Sequence, residues 1–288
     1  MLRFLFLEFA ARAGFKLVLS KPIPAGGIMR IAAVIFGLCF MLPLQVTADE
    51  RVVRLASLNW PPYSGETLPG QGASVEVVRR ALAEMDYQLV VEFFPWSRVV
   101  HVAEEEGSRF HGYFPEYFSD AISQNFIYSS SIGSGPLGFV ENNEAPVVWH
   151  SLEDLSRFRI GVVSDYVNTS EFDRLVENGH LHVAPVVSDK NNIQKVAFGR
   201  IDIAVIDQNL LEYSINNDPE LIPLASKVRF NRHLLELKQL YVCLRRNYPH
   251  LAKVLDEGLQ RIDIARIQRE YLQSLNDSAE RNSIPDGN

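Results

Sequence analysis

The sequence predicts an α/β fold in two lobes, each a mainly parallel sheet flanked by helices. Strand-like and helix-like segments alternate over residues 52–114 and again over residues 158–215, which is the order that parallel sheets require. A last strand and two helices follow without a sheet of their own, so we expect them to return to the first lobe. This predicts lobe 1 at residues 51–140 and 237–275, lobe 2 at 141–236, a flexible tail at 276–288, and two chain crossings that act as hinges.

The first set of elements leads to loops at one edge of its sheet. The apolar strand at residues 52–58 is stopped by Pro61 and Pro62, which cannot continue a ladder. Ser74 is expected to cap the next helix, and Pro95 to lie in the first turn of another. In order, the predicted elements are a strand at 52–58, a helix from 75 to 85, a strand at 87–94, a helix from 95 to 106, and a strand at 110–114 that Pro115 breaks.

The second set contains the most informative run of the chain, residues 199–207. Four apolar residues lie between Asp202 and Asp207, which is typical of a strand buried on both faces. Asp207 stands at the carboxyl end of this strand, where open α/β sheets bind ligands, although it could equally be a helix cap. The other predictions are irregular chain at 126–150, strands at 158–163, 182–186 and 237–245, and helices at 170–177, 191–198, 208–215, 249–259 and from 263.

The first 48 residues have the pattern of a secretory signal peptide. Met29 and Arg30 precede an apolar stretch at 31–44 that is short for a membrane span, and small residues end the segment at Ala48. Residues 1–28 are interpreted as an upstream extension, and a retained membrane anchor is the alternative. We therefore expect a periplasmic protein.

Composition excludes several classes of function. The chain has a net charge of −7, and loss of the mostly basic leader makes it more acidic, so nucleic-acid binding is not expected. Cys243 is the only cysteine after the leader, which rules out an internal disulfide. The sequence contains no phosphate loop, nucleophile elbow or zinc motif, so we expect neither cofactor nor metal.

Four segments together resemble a known family. They are Pro-Pro-Tyr at 61–63, Phe-Ile-Tyr-Ser at 126–129, Ser-Leu-Glu-Asp-Leu at 151–155 with Arg-Ile-Gly-Val at 159–162, and the block from Phe198 to Asp207. In order and spacing they resemble the bacterial extracellular solute-binding proteins of the amino-acid type (family 3), the periplasmic components of ABC uptake transporters. The resemblance implies a type II periplasmic-binding-protein fold, a monomer, capture of a small amino-acid-like ligand without chemistry, and a permease as partner.

One position departs from that family. Members that bind amino acids carry an arginine for the α-carboxylate shortly before the phenylalanine-serine element, and Ile122 stands there in this chain. The usual amino-acid pose is therefore in doubt, and Arg98 is the candidate substitute. Asp207 matches the aspartate that takes the ligand's amino group. Glu116 with Asp207 would make the pocket suit an amine or a cationic group.

The candidate ligand-binding residues lie on the loops of both lobes. Trp60 and Tyr63 are expected to enclose the apolar part of the ligand, unless they only cover the core. Asn168, with Glu171 three residues on, has the spacing of a capping box and offers a helix start to an anion. The complete set is Trp60, Tyr63, Trp96, Arg98, Glu116, Tyr117, Ser131, Asn168, Thr169, Ser170 and Asp207.

Two alternative functions stay open at this stage. The first is an enzyme on the same scaffold, similar to dehydratases of cyclic acids, with Glu116 as the acid. The second is an orphan protein that senses a ligand and passes the signal to a separate partner. The expected function is neither of these but solute capture for uptake.

Overall fold

A computed structural model of the protein describes residues 51–283. The predicted signal peptide and the extension before it lie outside the described residues. Within residues 51–283, no helix combines the length and the apolar character needed to cross a membrane.

Strands and helices alternate along most of the described chain. In order they are β1 (Val52–Ser57), α1 (Ala73–Ala83), β2 (Gln88–Phe93), α2 (Trp96–Glu104), β3 (Gly112–Glu116), α3 (Asp120–Ser123), β4 (Phe126–Tyr128), β5 (Gly133–Asn142), β6 (Ile160–Val163), α4 (Ser170–Glu177), β7 (Val183–Val186), α5 (Asp189–Ala197), β8 (Ile203–Asp207), α6 (Gln208–Asn217), β9 (Val228–Phe230), β10 (Glu236–Arg245), α7 (Pro249–Leu259) and α8 (Ile264–Ser283). Short 3₁₀ turns lie at Pro69–Gln71, Leu152–Arg157 and Ile222–Lys227.

The first sheet has the strand order β2-β1-β3-β10, with β4 also paired to β10. Strands β1, β2 and β3 are parallel, and β10 runs antiparallel to β3. Helix α1 packs against α7 and α8, and its predicted apolar face (Val75, Val78 and Leu82) is buried. At Gly258 of α7 a Cβ atom would overlap the carbonyl of Ala81, so this close approach of the two helices requires glycine.

The second sheet has the order β10-β5-β8-β6-β7, with β9 paired to the far end of β5. Strands β8, β6 and β7 are parallel, and β5 is antiparallel to both β8 and β10. Phe139, Phe172 and Ile193 are fully buried in the core beside this sheet. All five residues of β8 are buried, as the apolar run between Asp202 and Asp207 predicts.

Strand β10 belongs to both sheets and carries one of the two crossings. Its residues 236–240 pair with β5, and its residues 241–245 pair with β3 and β4. The other crossing is the segment between β4 and β5, residues 129–132. The chain therefore changes sheet at residues 129–132 and 240–241. The predicted lobe boundaries are at 140–141 and 236–237, and they stay predictions.

The two predicted helix starts differ from those observed. Gly72 is the N-cap of α1, and Ser74 is buried inside the first turn. Pro95 is the N-cap of α2 and precedes its first helical residue, Trp96. Both helices form where they were expected, and only the capping residues were wrong.

Two predictions about strands were also wrong. Strand β3 does not end before Pro115 but continues through it to Glu116. The pairing of β10 with β3 is irregular between Tyr241 and Cys243, and such a bulge lets a residue without an N–H lie in the ladder. Residues 126–150 are not all irregular, because they contain β4 and the ten-residue β5.

The predicted tail overlaps α8, which continues to Ser283.

Candidate functional site

The site lies where the carboxyl ends of strands from both sheets meet. From the first sheet come the loop after β1, residues 58–63, and the end of β3 at Glu116 and Tyr117. From the second come the loop after β6, residues 164–169, and Asp207 at the end of β8. Carboxyl ends of parallel strands share one edge of a sheet, so the two lobes present their loops to each other at these edges.

A hydrogen bond between Tyr63 and Asp207 joins the lobes. The Tyr63 side chain is fully buried, and its hydroxyl lies 3.0 Å from each carboxylate oxygen of Asp207. Asn209 Nδ2 donates to the same hydroxyl at 2.7 Å, and Asp207 Oδ1 accepts the Leu210 N–H at 3.1 Å. Asp207 thus caps α6 and also faces the other lobe, and its role in ligand binding stays a prediction.

Gly135 of β5 leaves the space in which this hydrogen bond forms. A Cβ atom at residue 135 would overlap both an oxygen of Asp207 and the hydroxyl of Tyr63. The segments that carry Tyr63, Gly135 and Asp207 therefore meet at one point. Their close approach requires glycine at residue 135, because it has no side chain. Sequence reasoning missed Gly135, although the Gly-Ser-Gly run at 133–135 marked this segment as unusual.

Burial controls the ionisation of the pair. Loss of solvation raises the pKa of Asp207 to about 7, against the lowering effects of the Leu210 N–H and the Tyr63 hydroxyl. Burial, with the nearby charge of Asp207, raises the pKa of Tyr63 well above its ordinary value. The Asp207 carboxyl consequently exchanges its proton near neutral pH.

Aromatic rings from both lobes surround the centre of the cleft. The Trp60 ring stacks on Tyr63 with centroids 4.6 Å apart and meets Tyr117 edge-on at 6.0 Å. Trp96 meets Tyr166 of the second lobe edge-on at 5.7 Å, and its Nε1 donates to the Asp165 carbonyl at 3.0 Å. These contacts hold the cleft closed on its own side chains.

A small cavity of about 30 Å³ lies between these rings, room for a water molecule or two. It is lined by Leu58, Trp60, Trp96, Pro115, Glu116, Tyr117, Tyr166, Val167 and Leu240. Two larger clefts adjoin it, of about 460 Å³ beside Asp189 and about 590 Å³ beside Asn168, and both have Tyr166 in their walls. The lobes must separate before anything larger than water can enter the cavity.

Glu116 is the charged residue that lines this cavity in the described chain. Its side chain is buried and accepts hydrogen bonds from the Tyr117 N–H at 2.8 Å and the Tyr113 hydroxyl at 3.2 Å. Loss of solvation raises its pKa to about 8, and the two hydrogen bonds and Lys238 offset only part of this rise. The carboxyl is therefore mostly protonated at neutral pH in the closed cleft.

Tyr117 and Lys238 lie together beside the cavity. The Tyr117 hydroxyl is buried and has no hydrogen-bond partner among the described residues. It lies within electrostatic reach of Tyr63, Asp189 and Asp207. Lys238 of β10, itself buried, places its ammonium 5.2 Å from the centre of the Tyr117 ring. Sequence reasoning missed Lys238, whose strand was predicted without any link to the cleft.

Tyr166 and Asp189 are the second-lobe residues that sequence reasoning missed. The Tyr166 hydroxyl lies 3.4 Å from Asp189 Oδ2, and burial raises the pKa of Asp189 to about 7. Asp189 begins α5 directly after the N-cap Ser188, two residues earlier than the predicted helix start. A more careful search for caps in the Ser-Asp pair at 188–189 could have found it.

The structure does not bring two of the predicted residues into the cleft. Arg98 is exposed, and its guanidinium lies 5.1 Å from the centre of the Phe94 ring. Two residues along a helix correspond to a rotation of about 200°, so Trp96 faces the cleft and Arg98 faces away. Ser131 bonds Gly133 and Gln239 at the crossing between the lobes. Ile122 of α3 packs against the core.

The helix start at 168–170 differs from the predicted capping box. Thr169 is the N-cap of α4, and its hydroxyl accepts the Phe172 N–H at 3.2 Å. The Asn168 side chain instead donates to Asp173 Oδ1 at 2.8 Å, and Glu171 pairs loosely with Arg174. Asn168 and Ser170 line the 590 Å³ cleft, outside the central cavity.

The sequence matches no protein-family model and no curated protein. Solved structures do match. A Streptococcus pneumoniae amino acid ABC transporter substrate-binding protein bound to L-arginine is 12% identical, with a TM-score of 0.63 over 80% of this chain and 97% of that one. The periplasmic VFT2 domain of Bordetella pertussis BvgS is 18% identical, with a TM-score of 0.63 over 78% and 94%.

A third similar structure is a histidine kinase sensor domain with similarity to periplasmic binding proteins. It is 17% identical, with a TM-score of 0.62 over 82% of this chain and 96% of that chain. These similarities extend over nearly the whole length of the known domains, and at such low identity they show the architecture. The described chain therefore has the two-lobed fold of periplasmic binding proteins, with β10 and the segment before β5 as its two connections between the lobes.

Proposed function

We propose that this protein is an exported solute-binding protein that captures a small polar, amino-acid-like solute between its lobes for an ABC-type uptake transporter. The observation that carries the proposal is the buried Tyr63–Asp207 hydrogen bond between loops of opposite lobes, beside a small cavity lined by aromatic rings. A contact of this kind forms only when the lobes are together, so it can couple closure to the occupant of the cleft.

The fold supports the proposal, because similar structures include substrate-binding proteins of amino acid transporters. The site supports binding without chemistry. The buried polar groups of the cavity, above all the Tyr117 hydroxyl, could hydrogen-bond a ligand, and the surrounding rings could cover its apolar part. The proposed role also includes export by a cleavable leader, a monomeric state and a permease partner.

The test is a thermal-shift screen of the purified protein against amino acids, amines and small carboxylates, followed by X-ray scattering with and without each hit. A ligand that binds the closed cleft is expected to raise the melting temperature, since binding only to the native state stabilises it. Such a ligand is also expected to lower the radius of gyration toward that of the closed protein. A complete absence of hits would contradict the proposal.

The second candidate function is an orphan ligand sensor. It is favoured by the similarity of the fold to a histidine kinase sensor domain and to the BvgS periplasmic domain. The two functions differ in their effect on cells. Deletion of a transporter component abolishes uptake of the labelled ligand, whereas deletion of a sensor leaves initial uptake unchanged and alters gene expression.

A further inference from the structure

The cavity walls have the geometry of a box for an organic cation. The ring planes of Trp60 and Tyr117 make an angle of 82°, and those of Trp96 and Tyr166 make an angle of 88°, so each pair is nearly perpendicular. All four rings line the same cavity. Both contacts are edge-to-face in the closed cleft. Aromatic faces attract ammonium groups, so a ligand cation that separates Trp96 from Tyr166 would meet ring surface that the two side chains now cover.

The polar groups of the box favour the same sign of charge. Glu116 is the only charged residue among the described residues that line the cavity. The Tyr117 hydroxyl, buried and without a partner in the described chain, can accept a hydrogen bond from an ammonium N–H. No arginine lines the cavity in this part of the chain, because Ile122 replaces the expected one and Arg98 faces solvent. A ligand carboxylate would find no cationic partner among the described residues that line the cavity.

The charges around the cavity are unbalanced. Asp207 and Asp189 lie at its second-lobe side, both inside the closed cleft, and Glu116 lies in its wall. Lys238 is the nearby buried cation; its ammonium lies 3.7 Å from Glu236, and it is outside the set of lining residues. Lys190 at the edge of the cleft is already paired with Asp218 and Glu220. Three carboxyl groups thus lie around the cleft, and a cation that enters it would favour their ionised forms over the protonated forms that burial favours.

We infer that the solute captured by this protein is an organic ammonium ion, recognised through its cationic group by the four rings, Glu116 and Tyr117, and not through an α-carboxylate. This inference rests on the proposed function. The ammonium group takes the central box, which widens when the lobes part. The rest of the molecule extends into the adjoining cleft of about 460 Å³, which shares Trp96 and Tyr166 with the box.

Isothermal titration calorimetry with defined probes tests the inference. The cationic probes are n-butylammonium, tetramethylammonium and 1,4-diaminobutane, the anionic probe is butyrate, and the carboxylate-bearing probes are L-glutamine and L-arginine. We expect at least one of the three cations without a carboxylate to bind and butyrate not to bind. Two of the three tryptophans, Trp60 and Trp96, line the box, so cation binding should also change tryptophan fluorescence.

Variants separate recognition from folding. Glu116→Gln keeps the shape of the side chain and is expected to weaken cation binding at least tenfold, as is Trp96→Leu. Glu104→Gln removes an exposed carboxylate of the same helix as Trp96 and is the matched control, with unchanged affinity expected. Melting curves by circular dichroism show whether each variant is folded. A folded Glu116→Gln variant that binds the cations normally overturns the inference.

The outcomes also distinguish this inference from the proposed function. If L-glutamine or L-arginine binds and the three simple cations do not, the protein is a solute-binding protein but the ligand class is wrong. If none of the probes binds and the wider solute screen gives no hit, both proposals fail. If the cations bind and the binding depends on Glu116, both are supported.

Discussion

Tyr63 and Asp207 are 144 residues apart in sequence, yet their side chains share one buried hydrogen bond. A hydrogen bond to a charged group contributes about 1.5–3 kcal/mol when it is buried. Its energy is available only in the closed state, because opening separates the two residues. At the scale of single residues, this bond is the first feature whose removal should alter ligand affinity.

Tyr63→Phe is expected to weaken ligand binding about tenfold, or about 1.4 kcal/mol, while the protein stays folded. Phenylalanine keeps the stacking on Trp60 and loses only the hydroxyl. Asp207→Asn should have a similar effect, because asparagine still caps α6. The measurement is the dissociation constant by calorimetry for both single variants and the double variant.

The control for this cycle is Tyr87→Phe, a half-buried tyrosine next to the amino end of β2, away from the cleft. Its affinity should equal that of the wild type. If the two single variants have additive effects, then the hydroxyl and the carboxyl do not act through each other, and the bond between the lobes is not the closing contact.

Gly135→Ala tests the Tyr63–Asp207 hydrogen bond by crowding it, without removing either of its partners. The added methyl group overlaps both partners of the hydrogen bond, and overpacking of this kind costs about 1–3 kcal/mol. We expect a lower melting temperature together with weaker binding of the ligand. Ser134→Ala, at the adjacent half-buried residue, is the control. A Gly135→Ala variant as stable and as tight-binding as the Ser134→Ala variant would contradict this account of the site.

At the scale of secondary-structure elements, helices and parallel strands could be predicted from the sequence. The apolar spacing of α1 and the buried run of β8 determine these elements locally, and both form as predicted. Strand β5 could not be predicted, because Gly133, Gly135 and Pro136 are poor strand formers. Its pairing with β10 and β8, which lie far along the chain, supplies the order that the local sequence lacks.

The candidate site could be predicted in part for the same reason. Residues directly after strands, such as Glu116 and Asp207, reach the cleft because the strand ends determine their place. The prediction that Arg98 faces the cleft failed because Arg98 lies two residues after Trp96 in α2. Two residues of a helix correspond to a rotation of about 200°, so the two side chains point in nearly opposite directions. The way the two lobes pack together determines where Tyr166, Asp189 and Lys238 lie relative to the cleft. No local sequence pattern predicts this packing.

The correction at the start of α4 makes a prediction at this scale. Thr169→Ala should lower the free energy of unfolding by about 1 kcal/mol, since it removes the hydroxyl that caps the Phe172 N–H. Glu171→Ala removes only a loose, exposed ion pair and should change the stability by less than about 0.5 kcal/mol. Urea unfolding of both variants is the measurement. The reverse ranking would restore the capping box originally predicted for Asn168 and Glu171.

At the scale of the whole molecule, three buried carboxyl groups link the stability of the closed protein to pH. Burial raises the pKa of Glu116 to about 8 and those of Asp189 and Asp207 to about 7. The groups that face Glu116 are Tyr113 on its own strand, Tyr128 on β4, and Lys238 and Cys243 on β10. Of these, the lysine charge lowers the pKa of Glu116, and it does not cancel the effect of burial.

The sign of the effect follows from where the protons are held. At low pH, both the folded and the unfolded chain hold these protons, and the stability contribution is complete. As the pH rises above about 4, the unfolded chain releases its protons first, so the free energy of unfolding falls until the folded-state pKa values near 7 and 8 are passed. His111, whose pKa is lowered by burial, acts in the opposite direction as a single group. The half-buried Asp154 and Asp202, with lowered pKa values, act below this range.

We therefore expect the ligand-free protein to lose stability between pH 5 and pH 8, seen as a melting temperature that falls steadily as the pH rises. The measurement is scanning fluorimetry at constant ionic strength across that range. The double variant Glu116→Gln with Asp207→Asn should show a much flatter dependence, since two of the three titrating groups are gone. A melting temperature that stays constant or rises toward pH 8 in the wild type would mean that these carboxyls are solvated, and hence that the lobes stand open in solution until a ligand closes them.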